Sequence, residues 1–498
     1  MLNLLKTQIN LSYTENGALT NSTSGSDCLD LFFTSGALRN ADEDEIEKKV
    51  VRAYAEDPEK TLKIIFFARD VRGGQGERRF FRTALKALAR LAPEAVNRNA
   101  EYISEYGRFD DLLCLLRTPC EDKAIDIIKK QLFTDIDNMH HGRPASLLAK
   151  WMPSINASCH QTVLDARRIA SRLGYSERVY RKILSALRRY TDITENRLRE
   201  RDYTFDYGKI PSYALFRYQA AFLRNDNKRY TEFLKNVKSG NAAVHSAALF
   251  PYDIVRKCLG EVQRGYLKSS ELSEEEKAYL DEAWKALSDH SGTEENENAI
   301  AVIDGSGSMY CDCCGVRPAD AAFSLGLYLA ERNKGAFGGH FITFSRRPQL
   351  IEVKGEDIYS KVQYCRSFDE IANTDLEAVF RLLLDTAVNN KLSQNELPSK
   401  IYIISDMEFD RCVSGGNNDT MFEAMKRLYE RNGYSLPDVI FWNVNSRQRN
   451  IPVTRSQTGA ALVSGFSPAI FDMVKSKDIS PEKIMNDIIF SERYAVIR

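Results

Sequence analysis

Three oxygen-bearing side chains lie within five residues, directly after a strongly apolar stretch of the sequence. Residues 304–308 are Asp-Gly-Ser-Gly-Ser, and residues 299–303, Ala-Ile-Ala-Val-Ile, have the composition of a buried strand. A loop after such a strand can turn tightly at its two glycines, which leaves Asp304, Ser306 and Ser308 facing one point. Because all three ligands are oxygens, the pattern predicts a site for Mg²⁺, Mn²⁺ or Ca²⁺ rather than for zinc.

Two later segments offer further oxygen ligands for the same site. Residues 400–405 form a second apolar run, and Asp406 follows it as Asp304 follows the first. Thr374 comes just before a helical pattern that begins at Leu376. The carboxyl ends of several strands meet at one edge of a doubly wound sheet, so we expect Thr374 and Asp406 to lie beside Asp304.

The elements that must position these ligands change in character near residue 295. From 41 to 287, apolar residues recur at three- and four-residue spacing, which predicts stacked helical pairs as in an α-solenoid, a helical-repeat domain of HEAT-like type. After an acidic linker at 288–297, strands are expected to alternate with helices through 298–498, which predicts an α/β domain with a parallel sheet. The polar residues 1–40 are expected to form a loosely ordered arm. The expected strands of the α/β domain are 299–304, 339–344, 399–405, 438–444 and 460–464.

Composition excludes several classes of protein. A chain of 498 residues with 43 % hydrophobic and 28 % charged residues is expected to fold into two or three soluble domains. It has no apolar run of about 18 residues, which argues against a membrane span, and its start lacks the features of a secretory signal. The ten cysteines show no disulfide framework, which fits reduced thiols in the cytoplasm.

Three of these cysteines, Cys311, Cys313 and Cys314, lie just past the first cation-binding residues. Such a cluster raises the question of zinc or redox chemistry. Its spacing is not that of a zinc knuckle, and no second pair of cysteines or histidines follows closely. The simpler interpretation is the first turn of the helix after the loop.

The net charge of zero hides a basic region. Residues 143–260 contain 22 lysines and arginines against 10 aspartates and glutamates, an excess of 12 positive charges. Aromatic residues are interleaved with these cations, so the region could bind phosphates while its rings stack on unpaired bases. A solvated helical face, or a basic partner for the acidic linker, is the alternative. The residues selected as RNA-binding are Arg181, Lys182, Arg188, Arg189 and Arg217.

Two further motifs lie in the helical region. Residues 72–79, Arg-Gly-Gly-Gln-Gly-Glu-Arg-Arg, do not follow a strand. We therefore interpret them as a structural turn pinned by arginine–aspartate pairs and not as a nucleotide-binding loop. Residues 106–113, Tyr-Gly-Arg-Phe-Asp-Asp-Leu-Leu, predict the end of one helix and the start of another that is capped by Asp110.

The order Asp-x-Ser-x-Ser, then Thr374, then Asp406 resembles the metal-ion-dependent adhesion site of von Willebrand factor A domains, although Asn373 stands where many of these have glycine. Together with both helical motifs, with Ala-Ser-Leu-Leu-Ala-Lys-Trp-Met-Pro at 145–153 and with Leu-Val-Ser-Gly-Phe-Ser-Pro at 462–468, this order resembles a family that pairs a helical-repeat domain with an A domain. That family is similar in turn to the TROVE-containing Ro autoantigen.

The resemblance implies a Rossmann-like A domain with Mg²⁺ or Mn²⁺ at its adhesion site. It also implies a ring of helical repeats that is closed by the A domain and binds small or misfolded RNA. The implied metal ligands are Asp304, Ser306, Ser308, Thr374 and Asp406.

The leading functional hypothesis is a non-enzymatic, Ro-like RNA-binding protein with a cation-dependent A domain. The alternative is an interaction scaffold without nucleic acid, whose A domain binds the carboxylate of a partner protein through the metal. Hydrolysis is disfavoured because Glu408 is the one nearby candidate for a general base. We expect a monomer that does not associate with membranes.

Overall fold

The computed structural model describes residues 9–498 apart from several short segments. The segments that lie outside the description are 247–248, 264–265, 269–271, 291–297, 312–315, 345–346, 369–374, 412–419, 448–449 and 476–478. Cys313, Cys314 and most of the predicted acidic linker therefore lie outside the described residues. Cys311 is described and exposed.

Residues 9–287 contain two short hairpins and are otherwise helical in their regular structure. The hairpins pair β1 (Leu11–Tyr13) with β2 (Leu19–Asn21) and β3 (Glu261–Gln263) with β4 (Tyr266–Lys268). The α-helices are α1 (Asp27–Ser35), α2 (Glu43–Glu56), α3 (Pro58–Arg69), α4 (Arg78–Leu91), α5 (Pro93–Asn99), α6 (Ile103–Tyr106), α7 (Glu121–His140), α8 (Leu148–Trp151), α9 (His160–Arg172), α10 (Glu177–Tyr190), α11 (Thr194–Glu200), α12 (Ser212–Arg217), α13 (Gln219–Asn225), α14 (Asn227–Lys238), α15 (Pro251–Leu259) and α16 (Glu274–Lys285). Short 3₁₀ helices lie at Ala100–Tyr102, Phe109–Leu115 and Tyr207–Lys209.

Residues 298–498 form an α/β domain around a six-stranded sheet. Its strands are β5 (Ala299–Asp304), β6 (His340–Phe344), β7 (Leu350–Glu352), β8 (Lys400–Ser405), β9 (Asp438–Asn443) and β10 (Ala460–Ser464). Its α-helices are α17 (Pro318–Arg332), α18 (Ile358–Arg366), α19 (Leu376–Asn390), α20 (Met421–Arg431), α21 (Ile470–Met473) and α22 (Pro481–Ile489), with 3₁₀ helices at Gly307–Tyr310, Gln394–Glu396 and Glu492–Tyr494.

The sheet order is β10-β9-β8-β5-β6-β7, and only the edge strand β7 runs antiparallel to its neighbour. Every residue of the central strands β5 and β8 is buried, as expected for parallel strands with helices on both faces. The five strands expected from the sequence are present, and β7 was not anticipated. This strand has three residues, of which only the middle one is buried. So short a segment shows no recognisable strand pattern in the sequence.

The prediction of a loosely ordered arm at the amino terminus is wrong for residues 9–40. Helix α1 buries seven of its nine residues and packs against β10 of the α/β domain. In the β1–β2 hairpin, the backbone of Asn21 exchanges hydrogen bonds with that of Ile451, at N···O distances of 3.1 and 2.9 Å. The polar residues that suggested disorder form local hydrogen bonds instead. For example, the Ser26 hydroxyl caps α1 by accepting from the backbone N–H of Leu29.

The glycine-rich turn at 72–79 is structural, as predicted, and it joins the two halves of the chain. Gln75 Nε2 donates to the backbone oxygen of Ser464 at 3.1 Å, while Gln75 Oε1 accepts from Ser35 at 2.9 Å. Gly36 lies so close to the same strand end that a Cβ there would be 2.6 Å from the Cα of Gly465. Glycine is therefore required at this crossing.

The carboxyl-terminal residues add further contacts between the glycine-rich turn and the α/β domain. Arg493 and Tyr494 both donate to the buried carboxylate of Asp70, which lies between the end of α3 and the glycine-rich turn. The backbone N–H of Arg498 donates to the side-chain oxygen of Asn99 at 2.9 Å. The last residues of the chain are thus bound to helices near its beginning.

The far end of the helical region contacts the α/β domain as well. Helix α15 packs on α17 and α18, and α16 packs on α18. The Tyr252 ring meets the Phe466 ring edge-on at 5.5 Å, and the Arg39 guanidinium lies over the same Phe466 ring at 3.8 Å. Because Arg39 precedes α2 and Tyr252 belongs to α15, both ends of the helical region meet on one side chain of the α/β domain.

The middle of the helical region links these two ends. Helices α8 and α11 are joined by an ion pair of Lys150 with Glu195 at 3.0 Å, and Tyr218 donates to Glu195 from the start of α13. Helix α14 packs in turn on α16. The described residues therefore form a closed circuit of contacts that begins and ends on the α/β domain. Among them, no helix is long and apolar enough to cross a membrane.

The second helical motif differs from the prediction in one residue. Asp111, not Asp110, accepts from the backbone N–H of Arg108 and so caps the 3₁₀ helix, because its side chain reaches back by three positions. Asp111 also accepts from the Nε atoms of Arg69 and Arg82, at 2.7 and 2.6 Å. Asp110 instead pairs with Arg82 and Arg108.

Candidate cation site and basic helical face

The predicted cation-binding residues of the first loop lie at the carboxyl end of β5. Asp304 is buried and accepts from the backbone N–H of Ser306 at 2.8 Å and from the Ser405 hydroxyl at 2.5 Å. The hydroxyls of Ser306 and Ser308 are 3.0 Å apart. The loop therefore brings one carboxylate and two hydroxyls together, as the sequence predicted.

Asp406 follows the neighbouring strand β8 and reaches the same place. Its carboxylate is buried, and the nearby Ser308 hydroxyl acts to lower its pKa. One carboxylate oxygen accepts from the backbone N–H of Glu408 at 3.2 Å, whereas Oδ2 is buried without a hydrogen-bond partner among the described residues. A buried carboxylate oxygen without a hydrogen bond is costly, and a bound cation would satisfy it.

The backbone after Asp406 is strained. Met407 adopts a left-handed conformation with φ of 67°, although it is not glycine, and its side chain is buried. Such a conformation costs on the order of 1 kcal/mol and persists when the surroundings enforce it. Here it turns the chain sharply at the end of β8, next to Asp406.

The two carboxyl groups make this site electrostatically unfavourable without a cation. Burial, followed by the charge of Asp406, raises the pKa of Asp304 to about 7. Burial also raises the pKa of Asp406, against the opposing effects of Ser308 and of the Glu408 N–H. Two buried carboxylates and two hydroxyls form a donor set that suits a hard divalent cation.

Thr374 lies outside the described residues, so its predicted role as a ligand stays a prediction. Its neighbour Asp375 is the N-cap of α19, where its carboxylate accepts from the backbone N–H of Ala378 at 2.9 Å. Within the described part of the chain, no group of three or more histidine, cysteine or acidic side chains is placed to hold a metal. The candidate cation site at Asp304 and Asp406 is not such a cluster, because serine hydroxyls supply part of its donor set.

The sequence did not point to Arg447 and Glu15, which lie beside Asp406. Arg447 pairs with Glu15 at 3.0 Å and lies 3.8 Å from Asp406 Oδ2. Glu15 belongs to the β1–β2 hairpin, more than 390 positions away in the sequence. No local pattern indicates such a contact, because it depends on how the hairpin docks.

The predicted RNA-binding residues fall into two groups in the structure. Arg181, Lys182 and Arg189 are exposed on α10. Arg188, on the same helix, is half-buried, and its guanidinium donates to the backbone oxygens of Ala149 and Met152 and to a serine hydroxyl. Burial lowers the pKa of Arg188, and the guanidinium is already bound within the fold.

Helix α10 is amphipathic, and one of its faces is strongly basic. Tyr180, Leu184 and Leu187 are buried on the opposite side. Arg178 is exposed as well, and with the three exposed cations predicted on this helix it makes a row at helical spacing. We call these four residues the α10 basic face: Arg178, Arg181, Lys182 and Arg189. None of the four has an ion pair with any acidic residue that the structure describes.

Arg217 lies apart from the α10 basic face. It is exposed at the end of α12, with its guanidinium 5.8 Å from the centre of the Tyr218 ring. Tyr213, one helical turn before it, is 47 % exposed, which is unusual for a large aromatic side chain. A cation next to exposed aromatic surface is the combination that binds unpaired nucleotides.

Family models match both halves of the chain. Residues 14–141 and 121–291 match the model described as "Domain of unknown function (DUF2828)". Residues 298–487 match "Domain of unknown function (DUF7788)". Since the first match spans more than half of the sequence, the chain belongs to the DUF2828 family.

Two individual proteins are similar over nearly the whole chain. "Uncharacterized protein L728" of Acanthamoeba polyphaga mimivirus is 29 % identical over 519 residues, which cover 96 % of this chain and 87 % of that protein. Among solved structures, the Deinococcus radiodurans RO (RSR) protein has a TM-score of 0.50 at 15 % identity, covering 94 % of this chain and 99 % of that one. The likeness shows a shared fold, so the predicted Ro-like architecture of helical region plus α/β domain is confirmed at that level.

The pKa of Asp304 predicts how the stability of the cation-free protein depends on pH. In the folded state Asp304 keeps its proton up to about pH 7, whereas in the unfolded state it loses the proton near the ordinary aspartate pKa of 3.8. The free energy of unfolding should therefore fall as pH rises from about 4 to 7, by about 1.4 kcal/mol for each pKa unit that separates the two states. Asp304→Asn should remove the part of this decrease that is due to Asp304. Urea denaturation in the presence of a chelator at pH 4.5 and 7.5 measures the free energy of unfolding of both proteins. An equal decrease in the variant and the unmodified protein would contradict the prediction.

Proposed function

We propose that this protein binds RNA in the manner implied by its Ro-like fold, through the α10 basic face, and that its α/β domain binds Mg²⁺ or Mn²⁺. The observation that supports RNA binding is the row of four exposed cations without ion pairs to described residues. Most other arginines of the region are paired, as with Arg197 and Asp192 or Arg168 and Glu121. The α10 basic face is therefore a part of the basic region whose charge is not neutralised by described acidic residues.

An unneutralised row of this kind suits a polyanion. Each lysine or arginine that contacts an RNA phosphate replaces a counterion condensed on the RNA, and release of that counterion favours binding. Contacts from these cations to phosphates would carry no information about the bases. We expect binding with little sequence preference, and a stacking contribution from exposed rings such as Tyr213.

The cation proposal rests on the chemistry of the donor set. Asp304, Ser306, Ser308 and Asp406 would bind the ion directly, and Ser405 would hold Asp304 in place through its hydroxyl. When bound, the ion would neutralise both buried carboxylates and offer an open coordination position. Thr374 completes the proposed set, as the resemblance to adhesion sites implies.

The α10 basic face can be tested by removing its charge without disturbing the fold. Replacing all four residues with glutamine should lower affinity for an unpaired RNA such as a poly(U) oligonucleotide on the order of 100-fold near physiological salt. It should also reduce the slope of log affinity against log salt by up to about 3, at roughly 0.7 per lost contact. Fluorescence anisotropy over a salt series measures both.

Arg188 is left unchanged in that variant because it bonds to backbone oxygens within the fold. A charge-matched control removes four cations elsewhere on the surface. The control substitutions to glutamine are at Lys129, Lys130, Lys426 and Arg431. Equal loss of binding in both variants would point to a general charge effect, and unaltered binding in the α10 variant would show that RNA binds at another surface. Absence of RNA binding by the unmodified protein would favour a scaffold without nucleic acid.

Cation binding has its own test. Asp304→Ala and Asp406→Ala should each abolish Mn²⁺ binding in calorimetry, since each removes a charged ligand from a site with two. Asp375→Ala serves as the control, because the Asp375 carboxylate caps a helix. It should cost about 1 kcal/mol of stability while the protein still binds Mn²⁺. Unchanged binding in both ligand variants would show that the ion binds elsewhere.

A further inference from the structure

The tip of the β1–β2 hairpin is bound directly to the loop that contains Asp406. The Thr14 hydroxyl donates to the backbone oxygen of Phe409 at 2.6 Å, and the backbone N–H of Glu15 donates to the Glu408 carboxylate at 2.8 Å. Asn16 donates to the backbone oxygen of Glu408 at 2.7 Å. The hairpin is therefore a wall of the cation site, supplied by the other end of the chain.

Arg447 lies between that wall and the cation site. Its guanidinium binds both oxygens of Glu15, at 3.1 and 3.0 Å. It also lies 3.8 Å from Asp406 Oδ2, the buried oxygen to which no described group donates a hydrogen bond. The distance is too long for a hydrogen bond but short enough for a substantial Coulomb attraction.

We propose that Arg447 is an internal competitor for the cation, and that Glu15 sets how strongly it competes. The inference rests on the proposed cation site. It adds that two residues outside the ligand set change the affinity of the site for the cation. In the cation-free protein, Arg447 partly neutralises Asp406. A divalent cation on Asp406 meets a positive charge close by, and Glu15 limits this repulsion by holding Arg447 in a hydrogen-bonded ion pair.

The signs of the two effects are opposite. Loss of the Arg447 charge removes a repulsion, so the cation binds more tightly. Loss of the Glu15 charge frees Arg447 to approach Asp406, so the cation binds more weakly. If Glu15 acts through Arg447, its effect should largely vanish once Arg447 is gone, because the direct attraction of an exposed carboxylate is screened by salt.

Because of the same coupling, a ligand that binds Arg447 or Glu15 should change the affinity of the site for the cation. Coupling free energies are reciprocal, so an acidic group that takes Arg447 away from Asp406 strengthens cation binding, and the cation strengthens binding of that group. A ligand that takes Glu15 away has the reverse effect. The hairpin thus links the amino terminus of the chain to the state of the cation site.

Calorimetric titration of the full chain with Mn²⁺ tests this as a double-mutant cycle. We expect Arg447→Gln to raise Mn²⁺ affinity about tenfold, within the usual range of coupling between sites. Glu15→Gln should lower it several-fold, and in the Arg447→Gln background the same change should have less than about a twofold effect. Arg431→Gln, which removes one positive charge from the last residue of α20, should leave the affinity unchanged.

Three results would overturn the proposal. Unchanged or weaker Mn²⁺ binding in Arg447→Gln would show that Arg447 does not compete. An equal effect of Glu15→Gln in both backgrounds would show that Glu15 acts directly on the ion. Absence of Mn²⁺ binding to the unmodified protein would overturn the cation site itself and this inference with it. Thermal unfolding of each variant confirms that these partly exposed substitutions leave the fold intact.

Discussion

The close crossing of Gly36 over Gly465 is the contact on which the rest of the structure depends. The two backbones can approach this closely because Gly36 has no Cβ, which would lie 2.6 Å from the Cα of Gly465. The crossing lets Gln75 reach Ser464, which fixes the glycine-rich turn against the sheet. From there the helices run through α7, α10 and α14 and return to the α/β domain at α15 and α16. Both proposed sites are positioned by this closure, the basic face along the circuit and the cation site under the hairpin.

The fold was largely predictable because hydrophobic periodicity is a local property. Buried parallel strands such as Lys400–Ser405 are recognisable as continuous apolar runs, and amphipathic helices such as Glu177–Tyr190 show their buried stripe. The amino-terminal segment was mispredicted because its stability comes from contacts with residues over 400 positions away, such as Asn21 with Ile451. Polar composition in such a segment indicates capping and hydrogen bonding as readily as disorder.

The candidate cation site was predictable to the extent that its ligands follow strands. Asp304 and Asp406 end neighbouring parallel strands, so sheet topology alone brings them together. Arg447 and Glu15 could not be predicted, since their positions depend on the docking of the hairpin. Arg188 was predicted to bind phosphate because it lies in a basic region of the sequence. In the structure its guanidinium donates to backbone oxygens instead. A sequence reveals charge, but tertiary contacts decide which charges remain available.

Closure of the helical region by the α/β domain is the central claim, and cleavage of the chain between the two tests it most directly. A protease site inserted near residue 290 separates the halves covalently, and size exclusion in moderate salt then reports whether they stay together. The buried contacts of α1 with β10 and of α15 and α16 with α17 and α18 predict that the cleaved protein elutes as one species, at the volume of the intact chain. Elution of two separate fragments, each folded, would contradict closure.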